Sequence, residues 1–295
     1  MKDFAGKTAV ITGAASGIGQ AIAERCAQEG MKVVLADIEE GALQQTAREL
    51  KEKGTSLLAI RTDVSKMGDV ETLAKRTVEE FGAVHLLFNN AGVQVGAAGS
   101  KAIWEDTIAD WEWVLGVNLW GVIYGIRSFV PLMIQQGTEC HITNTASVGG
   151  VTSGSELGIY RITKSGIIML SETLYHQFKF RDIPIGVSVL FPGFVRSRLN
   201  DAERNRPPAL QNLQNRDPLT SQESAVDEVL RTLAEKAMAP EHFADLVFKA
   251  IQENKLYVLT HPEFMGPIAQ RTEDILHGVN PAPSRHGFPI EDLGG

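Results

Sequence analysis

What most constrains this chain is an alternation of short, continuous apolar and β-branched runs with longer stretches of helical periodicity. Strand-length runs fall at 8–12, 32–36, 56–61, 85–88, 141–145, 185–190 and 256–259, and helical patterns near 17–29, 41–53, 65–81, 110–135, 160–180 and 240–254. Most of the strand runs lack the in-and-out polarity of a strand with one wet face. A strand apolar on both sides must be covered on both sides, which is the condition of a parallel sheet between two helical layers. The expected fold is therefore α/β: a Rossmann-like, doubly wound, parallel seven-stranded sheet in a single domain over residues 1–260. No Pro/Gly/Ser-rich linker and no internal repeat divides it. Residues 196–228 are polar and carry Pro207, Pro208 and Pro218, which reads as a substrate loop or lid between the last two strands. Residues 261–295 form a C-terminal extension whose end reads as weakly ordered.

Composition narrows the partners. The 295 residues carry a formal net charge of -8 and no basic stripe, so neither nucleic acid nor an anionic membrane is expected as a partner. The two cysteines, Cys26 and Cys140, have no CxxC spacing, which argues against a disulfide framework or a metal site and for a reducing compartment. No apolar signal region precedes the first strand, and no uninterrupted apolar run approaches membrane-spanning length. The expectation is a cytoplasmic enzyme.

After the first strand stands Thr12-Gly13-Ala14-Ala15-Ser16-Gly17-Ile18-Gly19, followed by a helical pattern. Glycines at a strand-to-helix turn let backbone approach a pyrophosphate, whose charge then meets a helix N-terminus. A tight turn without a ligand would use the same glycines. Asp37, ending the second strand before Ile38, points to a nucleotide because a carboxylate there accepts from ribose hydroxyls. Its charge repels a 2′-phosphate, and no Arg or Lys stands at Ala14, Ala15, Ser16 or Ile38 to offset it, so NAD(H) is expected over NADP(H).

Further signals sit at the carboxyl ends of later strands, where open α/β sheets bind ligands. Asn89-Asn90-Ala91-Gly92 follows the fourth strand, Ser147 the fifth, and Tyr160 and Lys164 share one face of the next helix. An ammonium held near a phenol favours the phenolate, which predicts a lowered pKa for Tyr160 and a role as acid/base. Asn118 lies in a stretch apolar on nearly every side (Trp113, Val114, Val117, Leu119, Trp120, Val122, Ile123), and a buried Asn needs partners. Taken singly, each residue has a plain structural reading: packing for the Tyr, a solvated face for the Lys, a turn for the Ser, backbone partners for the Asn.

Together these pieces closely resemble the short-chain dehydrogenase/reductase superfamily. The matching segments are TGAASGIG at 12–19, Asp37, Asp63-Val64, NNAG at 89–92, Asn118, Ser147, YRITK at 160–164 and PGFV at 192–195. The resemblance implies that Tyr160 passes the alcohol proton and that Lys164 lowers its pKa and holds the nicotinamide ribose. It implies that Ser147 orients the carbonyl and that Asn118 holds a water linking Lys164 to solvent. Gly13, Ser16, Gly17, Ile18, Gly19, Asp37 and Ile38 would hold the adenosine and phosphates, and Asp63 and Val64 would flank the adenine. Asn90, Ala91 and Gly92 would line the cofactor, with Pro192, Gly193 and Val195 at its nicotinamide end. Ser197 would replace a frequent Thr on the cofactor amide. Arg161 and Thr163 depart from the small residues frequent in the family and are expected to tune packing.

For the substrate, position suggests Gln94, Val95, Val148, Ser153, Glu156, Phe194 and Leu199, a mixed set without clustered Arg or Lys. A neutral secondary alcohol or ketone fits it better than a phosphorylated or carrier-bound one. The segment 254–263, with the loop and tail, is similar to bacterial members that oxidise benzylic alcohols. Surplus apolar surface on helices 110–135 and 160–180, with Gly166 permitting close approach, predicts a homodimer or homotetramer. The alternative function is an NAD-binding regulatory protein that has lost its chemistry. A lyase, epimerase or enoyl reductase fits the glycine turn and the Tyr/Lys spacing less well.

Overall fold

The computed structural model describes residues 1–95, 102–212 and 237–282. Seven parallel strands form one sheet: β1 Thr8–Thr12, β2 Lys32–Asp37, β3 Leu57–Arg61, β4 Leu86–Asn89, β5 Cys140–Thr145, β6 Ile185–Phe191 and β7 Tyr257–Leu259. Their order is β3-β2-β1-β4-β5-β6-β7. Each expected strand forms, with no end displaced by more than one residue. The reason is visible in burial. β1 is buried along its whole length, and β5, despite its mixed sequence CHITNT, is as well. The polar side chains of β5 find partners inside: His141 Nε2 lies 2.8 Å from Ser188 Oγ, and Asn144 Nδ2 donates to Ser171 Oγ at 3.0 Å.

Helices cover both faces. On one lie α1 Gly17–Gln28, α2 Glu40–Glu52 and α7 Pro240–Gln252, whose Ile22, Leu43, Phe243 and Phe248 pack on Ile11 and Leu35. On the other lie α3 Met67–Phe81, α5 Gly121–Gln136 and α6 Gly158–Phe180, whose Leu73, Phe129, Met133 and Phe178 pack on Val10, Val34 and Ile142. Each such fully buried side chain contributes roughly 1.5–3 kcal/mol of transfer free energy, enough to override any single weak propensity. Chain direction across the sheet reverses between β1 and β4, so their carboxyl ends open a cleft.

α4 Ile108–Val114 begins at a capping box of Thr107 and Asp110 and runs through a π-helical turn, Leu115–Trp120, directly into α5. By length and composition the continuous helix Ile108–Gln136 could cross a membrane, which the broken apolar runs of the sequence did not suggest. It lies on the sheet instead and buries Val114, Val122, Phe129 and Met133. A Cβ on Gly166 would sit 3.2 Å from Leu119 of the same chain, so the glycine lets α6 approach the π turn.

The extension after β7 contains a helix the sequence reading did not identify, α8 Met265–His277. Gly266 and Pro267 in its first turn obscure the pattern, although Pro is tolerated there. Its burial is slight, with Ile275 and Leu276 exposed. Of the expected substrate loop, residues 196–212 are described and contain 3₁₀ turns at Leu199–Asn205 and Pro208–Leu210. Its remainder, 213–228, lies outside the described residues, as does the tail from 283.

Candidate active site

At the β1–α1 turn, Gly13 and Gly17 have φ of 67° and 54°. A Cβ on Gly13 would come 2.9 Å from Ala91 Cα, and one on Gly19 would fall 1.9 Å from the Gly13 oxygen. Backbone therefore meets backbone here, and only glycine fits. Ser16 is the N-cap of α1 but makes no side-chain cap bond, and the first turn has no acidic residue. The amides at the start of this twelve-residue helix thus face the cleft without an internal acceptor, a fit for phosphate oxygens.

Asp37 closes one end of the cleft. Its carboxylate accepts from the Ala15 amide at 2.9 Å and the Glu39 amide at 3.0 Å. Burial pushes its pKa up and these bonds pull against that. One amide on each oxygen leaves lone pairs for two hydroxyl donors, the valence a ribose presents. Thr12 ties the turn to β4: its hydroxyl accepts from the amides of Asn90 at 2.9 Å and Ala91 at 3.1 Å while donating to Phe88 O at 3.2 Å.

At the other end, Lys164 and half-buried Tyr160 stand on α6 in the cleft wall. Lys164 Nζ donates to Thr145 O at 2.8 Å and lies 5.4 Å from the centre of the Tyr160 ring. The Ser147 hydroxyl acts on the Tyr160 phenol in the direction that favours its ionised form. Ser147 Oγ also accepts from the Gly149 amide at 3.1 Å and reaches Pro192 O at 3.4 Å. Burial pushes the Lys164 ammonium down to about 7. Burial also pushes the Tyr160 phenol up, against the Ser147 hydroxyl and the Arg161 charge, which pull it down. This corrects the sequence expectation: in this structure desolvation outweighs every group that favours the phenolate.

Asn118 is fully buried in the π turn, and its side chain is already engaged. Oδ1 accepts from the Val93 amide at 2.8 Å, and Nδ2 donates to Val93 O at 2.9 Å and Thr163 Oγ1 at 3.1 Å. Its amide thus pins the segment after Gly92 to the π turn. A Cβ on Gly92 would lie 3.6 Å from both Asn118 Oδ1 and Lys164 Nζ, so the glycine keeps that corner open.

These groups line one open cleft. Its walls include Gly13, Ser16, Ile18, Asp37, Ile38, Asp63, Val64, Asn90, Ala91, Gly92, Tyr160, Lys164, Pro192, Gly193, Val195 and Ser197. Gly17 and Gly19 shape it from behind through their close backbone contacts.

The short chain dehydrogenase family model matches residues 7–208. The chain belongs to this family of oxidoreductases. A short chain dehydrogenase/reductase from Burkholderia phymatum, solved in complex with NAD, is 45% identical with a TM-score of 0.90, covering 96% of this chain and 98% of its own. The CLA biosynthesis dehydrogenase/reductase of Lactiplantibacillus plantarum is 35% identical over 97% of this chain and 98% of its own length. The C alpha-dehydrogenase of a Sphingobium species is 32% identical over 96% of this chain and 90% of its own.

Within this dehydrogenase frame the substrate candidates divide. Leu199 lines the cleft. Gln94 is buried and donates to Asn200 Oδ1 at 2.9 Å, bracing the wall, and Val95 packs beside Trp111 and Leu210. Val148 is drawn into the core with Ile167 and Phe191, because the 3₁₀ turn after Ser147 tucks it under α6. Phe194 packs against the same core, Ser153 is exposed and Glu156 half-buried, and none of these three forms the described cleft wall.

Three groups went unread in the sequence. Arg161, taken as a packing variant, is buried, and its guanidinium donates to the carbonyls of Glu156, Gly149 and Thr152 at 2.8, 3.2 and 3.2 Å. It pins the turn that carries Ser147. His261 accepts from the Gly193 amide on Nδ1 at 3.0 Å and reaches Phe194 O with Nε2 at 3.2 Å, fixing the turn after β6. Arg198 and Arg204 enter the cleft from the substrate loop and meet Glu39. Arg161 stands inside YRITK and could have been flagged as a charge on a buried helix face; the other two pair residues far apart in sequence.

Proposed function

We propose that this protein interconverts neutral secondary alcohols and ketones with NAD(H), Tyr160 serving as acid/base. The observation that carries this reading is Tyr160 and Lys164 in one cleft wall, the Ser147 hydroxyl acting to favour the Tyr160 phenolate, and Asp37 at the far end. Asp37 and the α1 amides would hold the adenosine and phosphates, and Lys164 the nicotinamide ribose. The bound dinucleotide would supply or accept hydride. Ser147 orients the substrate oxygen against the Tyr160 hydroxyl, which gives its proton on reduction and takes one on oxidation. NAD over NADP rests on the Asp37 charge and on the likeness to a relative solved with NAD.

The cleft wall also carries the apolar side chains of Val93, Trp113, Val117, Leu199 and Ala202. Such a wall suits an uncharged, apolar group, which supports aryl ketones and benzylic alcohols as substrates. Exposed Trp120 at the end of the π turn and Ile162 and Met169 on α6 support a homo-oligomer through this face, which light scattering tests.

The deciding experiment follows nicotinamide absorbance over a panel of aryl and alkyl alcohols and ketones, with Tyr160→Phe alongside. Turnover that falls at least about a hundredfold in the variant, with NADH binding retained, is expected. Unchanged turnover in the variant would refute the assignment of Tyr160.

A further inference from the structure

At the adenosine end, Glu39 sits two residues beyond Asp37, and its amide donates to the Asp37 carboxylate at 3.0 Å. Its own carboxylate gathers three donors from the substrate loop. Arg204 Nε and Asn205 Nδ2 each reach Oε1 at 3.0 Å, a second Arg204 nitrogen pairs with the same oxygen, and Arg198 Nη1 lies 3.4 Å from Oε2. Asp201 shares both guanidinium groups, at 3.0 Å from Arg198 and 3.7 Å from Arg204. Asp37, Glu39, Arg198 and Arg204 line the same cleft.

We propose that Glu39 is a specificity-determining residue for the dinucleotide, because it holds Arg198 and Arg204 in ion pairs beside Asp37 and withholds them from a 2′-phosphate. The proposal rests on the reading of this cleft as a nicotinamide-dinucleotide site. A 2′-phosphate adds about −1.5 to −2 charge and seeks the fork of an arginine. The local inventory is three carboxylates (Asp37, Glu39, Asp201) against two guanidinium groups, so an added anion meets a net negative corner. The two arginines reach into the cleft and are already held by the Glu39 carboxylate, two residues beyond Asp37. Removing the Glu39 charge balances the inventory and frees donors at the place where ribose position 2′ would lie. Arg61 is the register neighbour of Asp37 on β3 but is no part of the cleft wall, and it stays constant across the variants below.

The same contacts do a second thing. They stretch the loop residues 198–205 over the cofactor floor, so the segment that borders the substrate also reads the cofactor's adenosine end. Discrimination thus comes from two carboxylates with different tasks. Asp37 receives the ribose hydroxyls, and Glu39 occupies the cations that would reward a phosphate.

The test measures dissociation constants of NADH and NADPH by nicotinamide fluorescence, and of AMP and 2′,5′-ADP by calorimetry. Proteins compared are the unaltered chain, Glu39→Gln, Glu39→Ser and Glu39→Gln/Arg204→Met. Glu39 is the N-cap of α2 without a side-chain cap bond, and serine is a favoured N-cap, so the Ser variant guards against a folding defect. In both single variants NADPH and 2′,5′-ADP should gain about tenfold relative to NADH and AMP, the factor that 1.4 kcal/mol makes in a binding constant. Arg204→Met should remove most of that gain. An unchanged NADPH-to-NADH ratio in both folded single variants, with the unaltered protein binding NADH, overturns the proposal and leaves the cofactor reading standing. Failure of the unaltered protein to bind either dinucleotide overturns both.

Discussion

At the scale of single residues, the cleft is a place where burial is tolerated for the sake of chemistry. Lys164 holds its ammonium against desolvation with one carbonyl, Thr145 O, and no carboxylate partner is seen among its described contacts. Its proton therefore leaves at about 7, far below the ordinary range of a lysine. The positive charge is present below that pH and lost above it. Affinity for the anionic NADH should weaken as pH rises through about 7, and Lys164→Met should flatten that dependence in a fluorescence titration. Arg161 is the mirror case, a buried cation whose donors are spent on backbone carbonyls around the Ser147 turn. Arg161→Met would leave those carbonyls unpaired at about 1–3 kcal/mol each. A lower urea midpoint, and a kcat that falls more than the NADH affinity does, are the expected results. Equal loss of both would assign Arg161 a purely structural role.

Elements carry the site through what they approach. α1 can start against β4 only because Gly13 and Gly19 lack side chains, so Gly19→Ala, whose Cβ would sit 1.9 Å from a carbonyl oxygen, should abolish dinucleotide binding in calorimetry. The described part of the substrate loop is anchored at both ends. Glu39 holds it at the cleft, and farther along Arg206 Nη2 lies 2.6 Å from Asp110 Oδ1 in a buried pair. Burial works against the Asp110 charge, but Arg206, Thr107 and Asn212 outweigh it and lower its pKa. Asp110→Asn would take one of two carboxylates from the buried Arg206 guanidinium, leaving it Glu203 and the Leu210 carbonyl, and should loosen this anchor. Faster proteolytic cleavage within 198–212, at unchanged cleavage elsewhere, is the readout. These anchors explain why the loop's behaviour was hidden in its sequence. Polar residues and prolines mark an irregular segment, but Glu39 and Asp110 lie more than ninety residues upstream of the arginines they hold.

For the whole molecule, the interior holds histidines that burial keeps neutral. His141 inside β5 is pushed down to about 3, and His85 and His261 are also lowered, in each case first by desolvation. A histidine whose folded pKa is depressed binds its proton in the unfolded chain first. Stability from these groups is complete above about 6.5 and is lost as pH falls from there toward about 3. Urea midpoints should therefore drop between pH 6.5 and 5, before ordinary carboxylates titrate, and a flat profile there would contradict the burial of His141. The alternation of apolar runs and helical periods determined the strands, their parallel arrangement and the cleft at their carboxyl ends, because burial on two faces leaves few alternatives. Local motifs likewise determined the glycine turn, Asp37 and the Ser147, Tyr160 and Lys164 wall, since each is set by neighbours within a turn or strand end. The tertiary structure alone decided the direction of the Tyr160 shift, the use of Asn118 to pin Val93, the burial of Val148, and the pairing of Glu39 with Arg198 and Arg204. Those depend on desolvation and on contacts between distant segments, quantities that exist only once the chain has closed on itself.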